Sequence, residues 1–403
     1  MQIEYIPLEQ LGFVGRGKSK HRPRNDESLY GGEYPFIQTA DVKKAELYIR
    51  EYSQTYNEKG LAQSKLWPKG TLCLTIAANI ADTAILDMEA CFPDSIIGFI
   101  ADETKVNVKY VKYFYSLFQR NLQKISQGAA QDNLNLEKLL MYPIPCPSLD
   151  VQNRIVGVLG TIDDLLVCNS DLIDHHKLMV EKLYHEWFIN FKFSNHEQVK
   201  FVDGIPEGWT NVSLKEVIST NPSTLKKGEL DEILYVDISS VGQGKIESFT
   251  QYHIDDAPGR AKRKVQHGDV IWSCVRPNRK QYALIQNPQS HLIVSTGFTV
   301  LRPTKIPFTY LTALAASDDF CGYLTSVAQG AAYPAVTYKD FEDYEFLLPP
   351  KSLLDKFHEV VELMYEQMHI LQIQNQKLQD LKEILLPRLM SGELDVSKIS
   401  SIE

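Results

Sequence analysis

Two stretches of the chain carry apolar residues at a strict seven-residue spacing. In one, Phe357, Met364, Leu371, Leu378 and Leu385 recur in step, flanked by Val360, Val361, Met368 and Leu381. In the other, Ile155, Ile162 and Leu183 keep the same step, with Asn169 and His176 at the two intervening places. Val158, Leu159, Leu165, Leu166, Leu172, Ile173, Met179 and Val180 complete the stripe around them. A seam of this period predicts long helices that pack on a partner helix rather than helices that lay a broad face on a globule. Polar residues inside a seam set register by hydrogen bonding across it, and Gln374 and Asn375 supply matching groups on the second stretch. Two independent core helices would explain either stripe alone. Recurrence of the pattern in both halves of the chain favours one helix packed antiparallel on the other. Each stretch opens after prolines, which a helix tolerates at its first turn. The second is expected to end near Leu386-Pro387, with Ser391-Gly392 as the stop, and the first to fade over residues 191–195.

The halves are related in more than their helices. Gln127-Gly128-Ala129-Ala130 returns as Gln329-Gly330-Ala331-Ala332, a shift of 202 from position 127 to 329. Without a gap, the same shift sets Pro147 on Pro349, Ile155 on Phe357, Ile162 on Met364 and Leu183 on Leu385. Upstream the match is looser: Gly98-Phe99 against Gly297-Phe298, and Gly70 against Gly268. Self-similarity at a fixed period marks duplicated structural units, here of about 200 residues each. Outside the helices the segments TLCLTIA, YPFIQTADV, EILYVDIS, DVIWSCV and STGFTVLRP read as strands punctuated by Gly, Pro and Asn turns. They predict mixed α/β globules of roughly 150 residues.

Composition narrows the class. Hydrophobic residues are 44% and charged residues 23%, the ordinary globular range, which excludes disorder, collagen and a small disulfide scaffold. Six cysteines (73, 91, 146, 168, 274 and 321) show no CxxC and no zinc-ligand spacing, so reduced thiols in a cytoplasmic protein are expected. The start, MQIEYIPLEQ, lacks the pattern of a signal peptide, and no apolar run is long enough to span a membrane. The net charge of −9 rules out a uniformly basic nucleic-acid binder and makes local basic clusters conspicuous. Residues 15–24 (GRGKSKHRPR) hold Arg16, Lys18, Lys20, Arg22 and Arg24 with no acid. Residues 259–280 hold Arg260, Lys262, Arg263, Lys264, Arg276, Arg279 and Lys280 against the single acid Asp269. Solvated loops are the plain explanation. The sharper one is contact with DNA, since Lys and Arg release counterions from phosphates and Arg pairs bidentately with guanine. Arg276, Asn278, Arg279 and Lys280 follow the strand DVIWSCV and are expected in one loop, with Arg260, Lys262 and Arg263 flanking it as phosphate contacts.

One enzymatic motif must be weighed. Residues 12–19 (GFVGRGKS) satisfy GxxxxGK[ST], with Lys18 at the lysine, and Asp102 follows an apolar run as a magnesium-holding Asp would. That loop works only between a buried strand and a helix whose N-terminus faces the phosphates. Here YIPLEQL is short, polar and interrupted by Pro7, and Pro23 falls where the helix should run, so the context fails on both sides. There is no GxSxG, no HExxH and no [DNS]PP[YFW], and nothing resembles a nuclease cluster. His175-His176 lie within the helical stretch and read as seam or surface residues. This silence favours a binding subunit, without cofactor or metal, over an enzyme.

The order and duplication of these pieces resemble the specificity subunit of type I restriction-modification systems. The resemblance covers essentially the full chain. It rests on residues 35–42 (PFIQTADV), 268–271 (GDVI), 295–298 (STGF), 329–336 leading to Leu347-Leu348-Pro349-Pro350, and the close 385–394 (LLPRLMSGEL). Residues 15–41 look like one variety of that family's first recognition domain, which makes the phosphate-loop match a coincidence. The resemblance implies a mixed α/β fold in which two globular target recognition domains are joined by two long helices forming an antiparallel coiled coil, a pseudo-two-fold internal repeat. The expected divisions are 1–147 for the first recognition domain, 148–194 for the central spacer helix, 195–349 for the second recognition domain, 350–390 for the distal spacer helix and 391–403 for a tail. The implied partners are double-stranded DNA, two methyltransferase subunits and an ATP-dependent restriction and translocation subunit, and the chain itself would perform no chemistry. Two rival classes stand beside this one: a P-loop NTPase using Lys18 and Asp102, and a coiled-coil scaffold that recruits proteins without binding DNA.

Overall fold

The structure, a computed structural model, describes residues 3–23, 26–45, 47–76, 81–126 and 142–396, with the backbone alone for 120–126. Gln127-Gly128-Ala129-Ala130, the first copy of the repeated tetrapeptide, lies outside the described residues. The chain forms two compact units, one from Met1–Cys168 with Asn375–Glu403 and one from Asn169–Gln374.

The first unit is built on a five-stranded sheet in the order Gly12–Arg16, Ile96–Ala101, Leu72–Thr75, Thr83–Leu86, Tyr48–Ile49. The first four strands are antiparallel neighbours and the last pairs parallel. Leu72–Thr75 and Thr83–Leu86 are buried along their whole length, as their unbroken apolar runs require of strands covered on both faces. A second sheet runs Gln54–Tyr56, Tyr30–Phe36, Ala90–Cys91, Leu66–Trp67. Trp67 and Phe92 stack at 4.9 Å over Gly98, where an added Cβ would meet the indole ring at 2.6 Å. The expected strand YPFIQTADV is half helix: after Phe36 the chain forms the helix Thr39–Lys44. The Asp41 carboxylate accepts the Gln38 N–H (2.7 Å), a helix-starting bond that outweighs the β-like alternation before it.

The helix Val108–Ser126 lays Tyr110, Val111, Tyr113 and Tyr115 into this unit's core. Ile155, Val156 and Leu159 of the central helix and Leu386, Leu389 and Met390 of the distal helix join them. The central helix, Leu149–Tyr184, is tied down at its first turn by buried Gln152, which accepts the Asn107 N–H (3.0 Å) and donates to Pro147 O (2.9 Å). Farther along, Asp163 is almost fully buried, accepting the Tyr113 hydroxyl (2.6 Å) on one oxygen and the Lys382 ammonium on the other. Burial first, and then the Asp163 charge, push the Tyr113 hydroxyl far above its ordinary pKa, so it stays a donor. The distal helix runs Lys351–Met390 and passes through Pro387 instead of ending before it. Burial of Leu386, Leu389 and Met390 holds the last turn, and Gly392, at φ +76°, makes the stop.

The second unit repeats the strand order of the first. One sheet runs Ile218–Thr220, Phe298–Pro303, Val270–Ser273, Tyr282–Leu284, all antiparallel. The other runs Thr250–His253, Glu232–Val236, Leu292–Ser295, Ala261–Lys264, with a parallel central pair, as in the first unit. Trp272 is fully buried and donates to Ala315 O (3.1 Å) in the helix Phe308–Ala316. Within this unit the two long helices run antiparallel: Asn169 donates to Gln374 (3.3 Å), while Phe188 meets Phe357 at 5.0 Å nearer the other ends of both segments. Val180, Tyr184, Phe357 and Val361 are buried between them, with Leu183 and Met364 packed against that core. Of the remaining seam positions, Ile155 and Ile162 are buried, and Leu371, Leu378 and Leu385 are half-buried. His176 is half-buried with Nδ1 lacking a hydrogen-bond partner. After Tyr184 the helix widens through one π turn, His185–Ile189, and stops before Phe191, whose φ is +55°.

Candidate nucleic-acid interface

In the second unit, sheet pairing brings several loops to one end. Ala261 pairs with Ser295, and Ser273 with Phe298, so the segments before Ala261, after Ser273 and between Ser295 and Phe298 emerge together. Backbone bonds tie them: Thr296 N–H to Arg260 O (2.8 Å), Cys274 N–H to Gly297 O (2.8 Å) and Arg276 N–H to Pro334 O (2.7 Å). Gln243 Nε2 donates to Arg279 O (3.3 Å), adding a further loop. This cluster presents Arg260, Asn278 and Arg279 exposed and Arg276 half-buried. Arg276 and Lys280 adopt left-handed backbone (φ +50° and +53°) on either side of the short turn Pro277–Arg279, uncommon for side chains of their size.

The rest of the basic island is divided. Lys262 is exposed on the strand Ala261–Lys264, whereas Arg263 is half-buried with Nε lacking a hydrogen-bond partner. Lys264 is paired with Glu229, and Lys280 with Asp318 (2.6 Å), whose carboxyl is lowered by that lysine. Asp269, the one acid of the island, is fully buried and accepts both Nε (2.7 Å) and a terminal nitrogen (2.6 Å) of Arg302. The one acid within the island is thus neutralised inside the unit. Arg260, Arg276 and Arg279 form no ion pair among the described residues. Nothing local in the sequence marked residues 242–244 or 329–335 as neighbours of the arginine loop, since both arrive through long-range pairing.

In the first unit, Gly12–Arg16 is a strand and residues 17–23 a loop beyond it. The Gly17 N–H donates to Ile96 O (2.9 Å) and the Lys18 N–H to Phe92 O (3.0 Å), so neither amide is free to cradle a phosphate. No helix follows among the described residues, only the turn Glu27–Leu29. Gly12 pairs with Ala101 and Arg16 with Ile97, which sets Lys18 and Asp102 beyond opposite ends of the strand Ile96–Ala101, about 17 Å long at the usual rise. Asp102 is held by Thr104 (2.6 Å) and Lys105 (3.0 Å). Lys18 and Asp102 therefore cannot share one magnesium nucleotide.

The loop's basic side chains also divide. Lys18 and Lys20 are exposed, and Arg16 is exposed with Nε on Asp94 O (2.7 Å). Arg22 folds back on Ser19 O (2.6 Å) and His21 O (2.8 Å), bracing the loop, while Arg24 lies outside the described residues. Asp26, lowered to about 2 by hydrogen bonds from Ser28 above all, meets His21 at 2.6 Å. Lys65, absent from the sequence expectations, sits 3.7 Å above the Trp67 ring and 4.4 Å from the exposed Phe13 ring. Burial, then the Lys18 charge, lower its pKa. Among the described residues no group of side chains could hold a metal, and no helix is long and apolar enough to cross a membrane.

Comparison with known proteins points the same way. Residues 3–173 match the family model of the type I restriction modification DNA specificity domain. The chain is similar over 97% of its length to the type I restriction enzyme MjaIX specificity subunit of Methanocaldococcus jannaschii, at 24% identity and with 93% of that protein covered. It is also similar to the HindI specificity subunit of Haemophilus influenzae, at 21% identity over 44% of this chain and 39% of that one. In fold it is similar to the type I restriction-modification S subunit of M. genitalium, with a TM-score of 0.60 at 15% identity and 96% of each chain covered. Duplicated sheets, paired long helices and these matches agree: residues 3–173 carry the pattern of a type I restriction modification DNA specificity domain, and the whole chain is similar to specificity subunits of type I restriction enzymes.

Proposed function

We propose that this chain selects the DNA sequence for a type I restriction-modification complex in the cytoplasm and performs no chemistry itself, each unit reading one half of a bipartite duplex target. The observation that carries this reading is the loop cluster of the second unit, where Arg260, Arg276, Asn278 and Arg279 converge and the three arginines form no ion pair among the described residues. Such a surface supplies phosphate contacts that position a duplex and arginine forks that read base edges. Lys18, Lys20 and Arg16 play the phosphate-contacting part in the first unit. The helices dock two methyltransferase subunits, and an ATP-dependent restriction and translocation subunit completes the assembly. Apolar side chains left exposed on both helices support that docking: Leu172 and Met179 with Leu363 and Ile370 in the second unit, and Leu165 with Ile384 in the first.

The test is duplex binding by the chain reconstituted with its methyltransferase, titrated from low to physiological salt. Arg260→Ala should weaken binding to every duplex and lower the log–log salt slope by about one. Arg279→Ala should instead relax one base position by about 1–3 kcal/mol. Lys18→Ala should behave like Arg260→Ala. Binding of ATP that disappears with Lys18→Ala while duplex binding survives would reinstate the nucleotide reading.

A second expectation concerns spacing. Seven residues inserted into each long helix at matching seam positions preserve the apolar register. The tolerated gap between half-sites should lengthen, read by mapping methylated adenines in cells carrying the variant. An unchanged gap would remove the helices from the task of measuring it.

A further inference from the structure

Tyr333 is the most exposed large apolar side chain of the second unit, at 68%. It projects from the turn that holds the second copy of the repeated Gln-Gly-Ala-Ala. That turn is closed by a reciprocal pair of bonds between Gln329 and Ala335 (2.9 Å each) and turns at Gly330, φ +102°. The Val336 N–H donates to Cys274 O (2.8 Å), and the Arg276 N–H to Pro334 O (2.7 Å), so the turn is stitched to the arginine loop immediately after Tyr333. The Arg276 guanidinium lies over the Tyr333 ring, 4.5 Å from its centroid. It forms no ion pair or side-chain hydrogen bond among the described residues. Arg276 keeps a left-handed backbone, a conformation that persists only where the surroundings hold it and that is found often at binding sites.

A guanidinium held over a ring face by attraction to its π-electrons is positioned without spending an N–H donor on a hydrogen bond. Its edge, with two parallel N–H groups, is then held ready for a pair of acceptors. The guanine O6 and N7 atoms in the major groove offer that pair at the right spacing.

We propose that Tyr333 is a positioning residue that holds Arg276 for bidentate recognition of a guanine in the half-site read by the second unit. This inference rests on the DNA-specificity reading above. Tyr333 acts through its ring face, so its hydroxyl is dispensable. Arg276 acts through its fork, so charge alone does not replace it.

The experiment selects bound duplexes from a random-sequence library, using the full chain reconstituted with its methyltransferase, and compares base preferences column by column. Wild type should show a guanine column that Arg276→Lys flattens by roughly 5- to 150-fold while leaving the salt slope intact. Tyr333→Ala should flatten the same column by about 2- to 5-fold, and Tyr333→Phe should restore it. Uniform loss in every column, with a salt slope lowered by one for Arg276→Ala, would make Arg276 a phosphate contact and overturn the proposal while leaving the function standing. A guanine column that survives Arg276→Lys would overturn it as well. A wild-type library with no enriched sequence would instead bring down the DNA-specificity reading, and this inference with it.

Discussion

Lys382→Met is expected to destabilise the first unit by about 3–5 kcal/mol, although it replaces a polar side chain with an apolar one on a helix. The reason is the partner left behind. The Asp163 carboxylate is almost fully buried and, among the described residues, is balanced by the Lys382 ammonium and the Tyr113 hydroxyl. Removing one member of a buried pair strands the other charge without water, which is the costly event. Removing both charges, as Asp163→Leu with Lys382→Met, should recover most of the loss, because two charges no longer have to be desolvated. Urea unfolding, with hydrogen exchange of peptides from the Leu149–Tyr184 helix to localise the effect, measures both variants. If the single variant melts like wild type, Asp163 reaches solvent or another cation, and the contact between helices is not the fixed point described.

Arg302→Met should have an effect of similar size in the second unit. Asp269 has no exposed surface, and its two oxygens hold Arg302 and the Gln266 N–H (2.8 Å). Without Arg302 the carboxylate is a buried, uncompensated charge, at about 3–5 kcal/mol. Asp269 also shapes the turn from which Val270–Ser273 carries the arginine loop. Arg302→Met should therefore lower exchange protection in that strand and weaken duplex binding, although Arg302 belongs to the unit's interior arrangement and not to the loops proposed to face DNA. The comparison is Lys264→Met, whose partner Glu229 is solvent-accessible and which should leave protection unchanged. Equal protection in both variants would show that Asp269 does not depend on Arg302.

These two pairs also mark where the sequence is legible and where it is not. The long helices are readable because a seven-residue spacing is a local property, and prolines fence both starts. Asn169 stands out as polar within an apolar seam, and its bond to Gln374 joins two such positions. Strands such as Val270–Ser273 announce themselves as short apolar runs between turns. Asp163 and Lys382 look like ordinary helix-surface charges, because 219 residues separate them and only the packed helices bring them together. Asp269 reads as an exposed acid for the same reason. In the basic loops the sequence shows which residues are charged but not which way each points. Arg22 bends onto its own loop, Lys280 meets an aspartate 38 residues on, and Arg263 is half-buried. Tyr333 is invisible as a partner of Arg276 until the turn at Gly330 folds back.

The composition of the two units governs the order in which a ribosome can finish them. The second, Asn169–Gln374, is contiguous and complete as soon as its last residue has left the exit tunnel. The first is not, because its core is closed by Leu386, Leu389, Met390 and Val396 from the opposite end of the chain. At the usual pace of synthesis its first 168 residues wait roughly 10–40 s for those side chains, with the Tyr110, Leu159 and Ile155 faces uncovered meanwhile. The nascent chain thus spends this interval with its earlier half unfinished while the later half is still being made, and chaperone binding during translation is expected on the N-terminal unit.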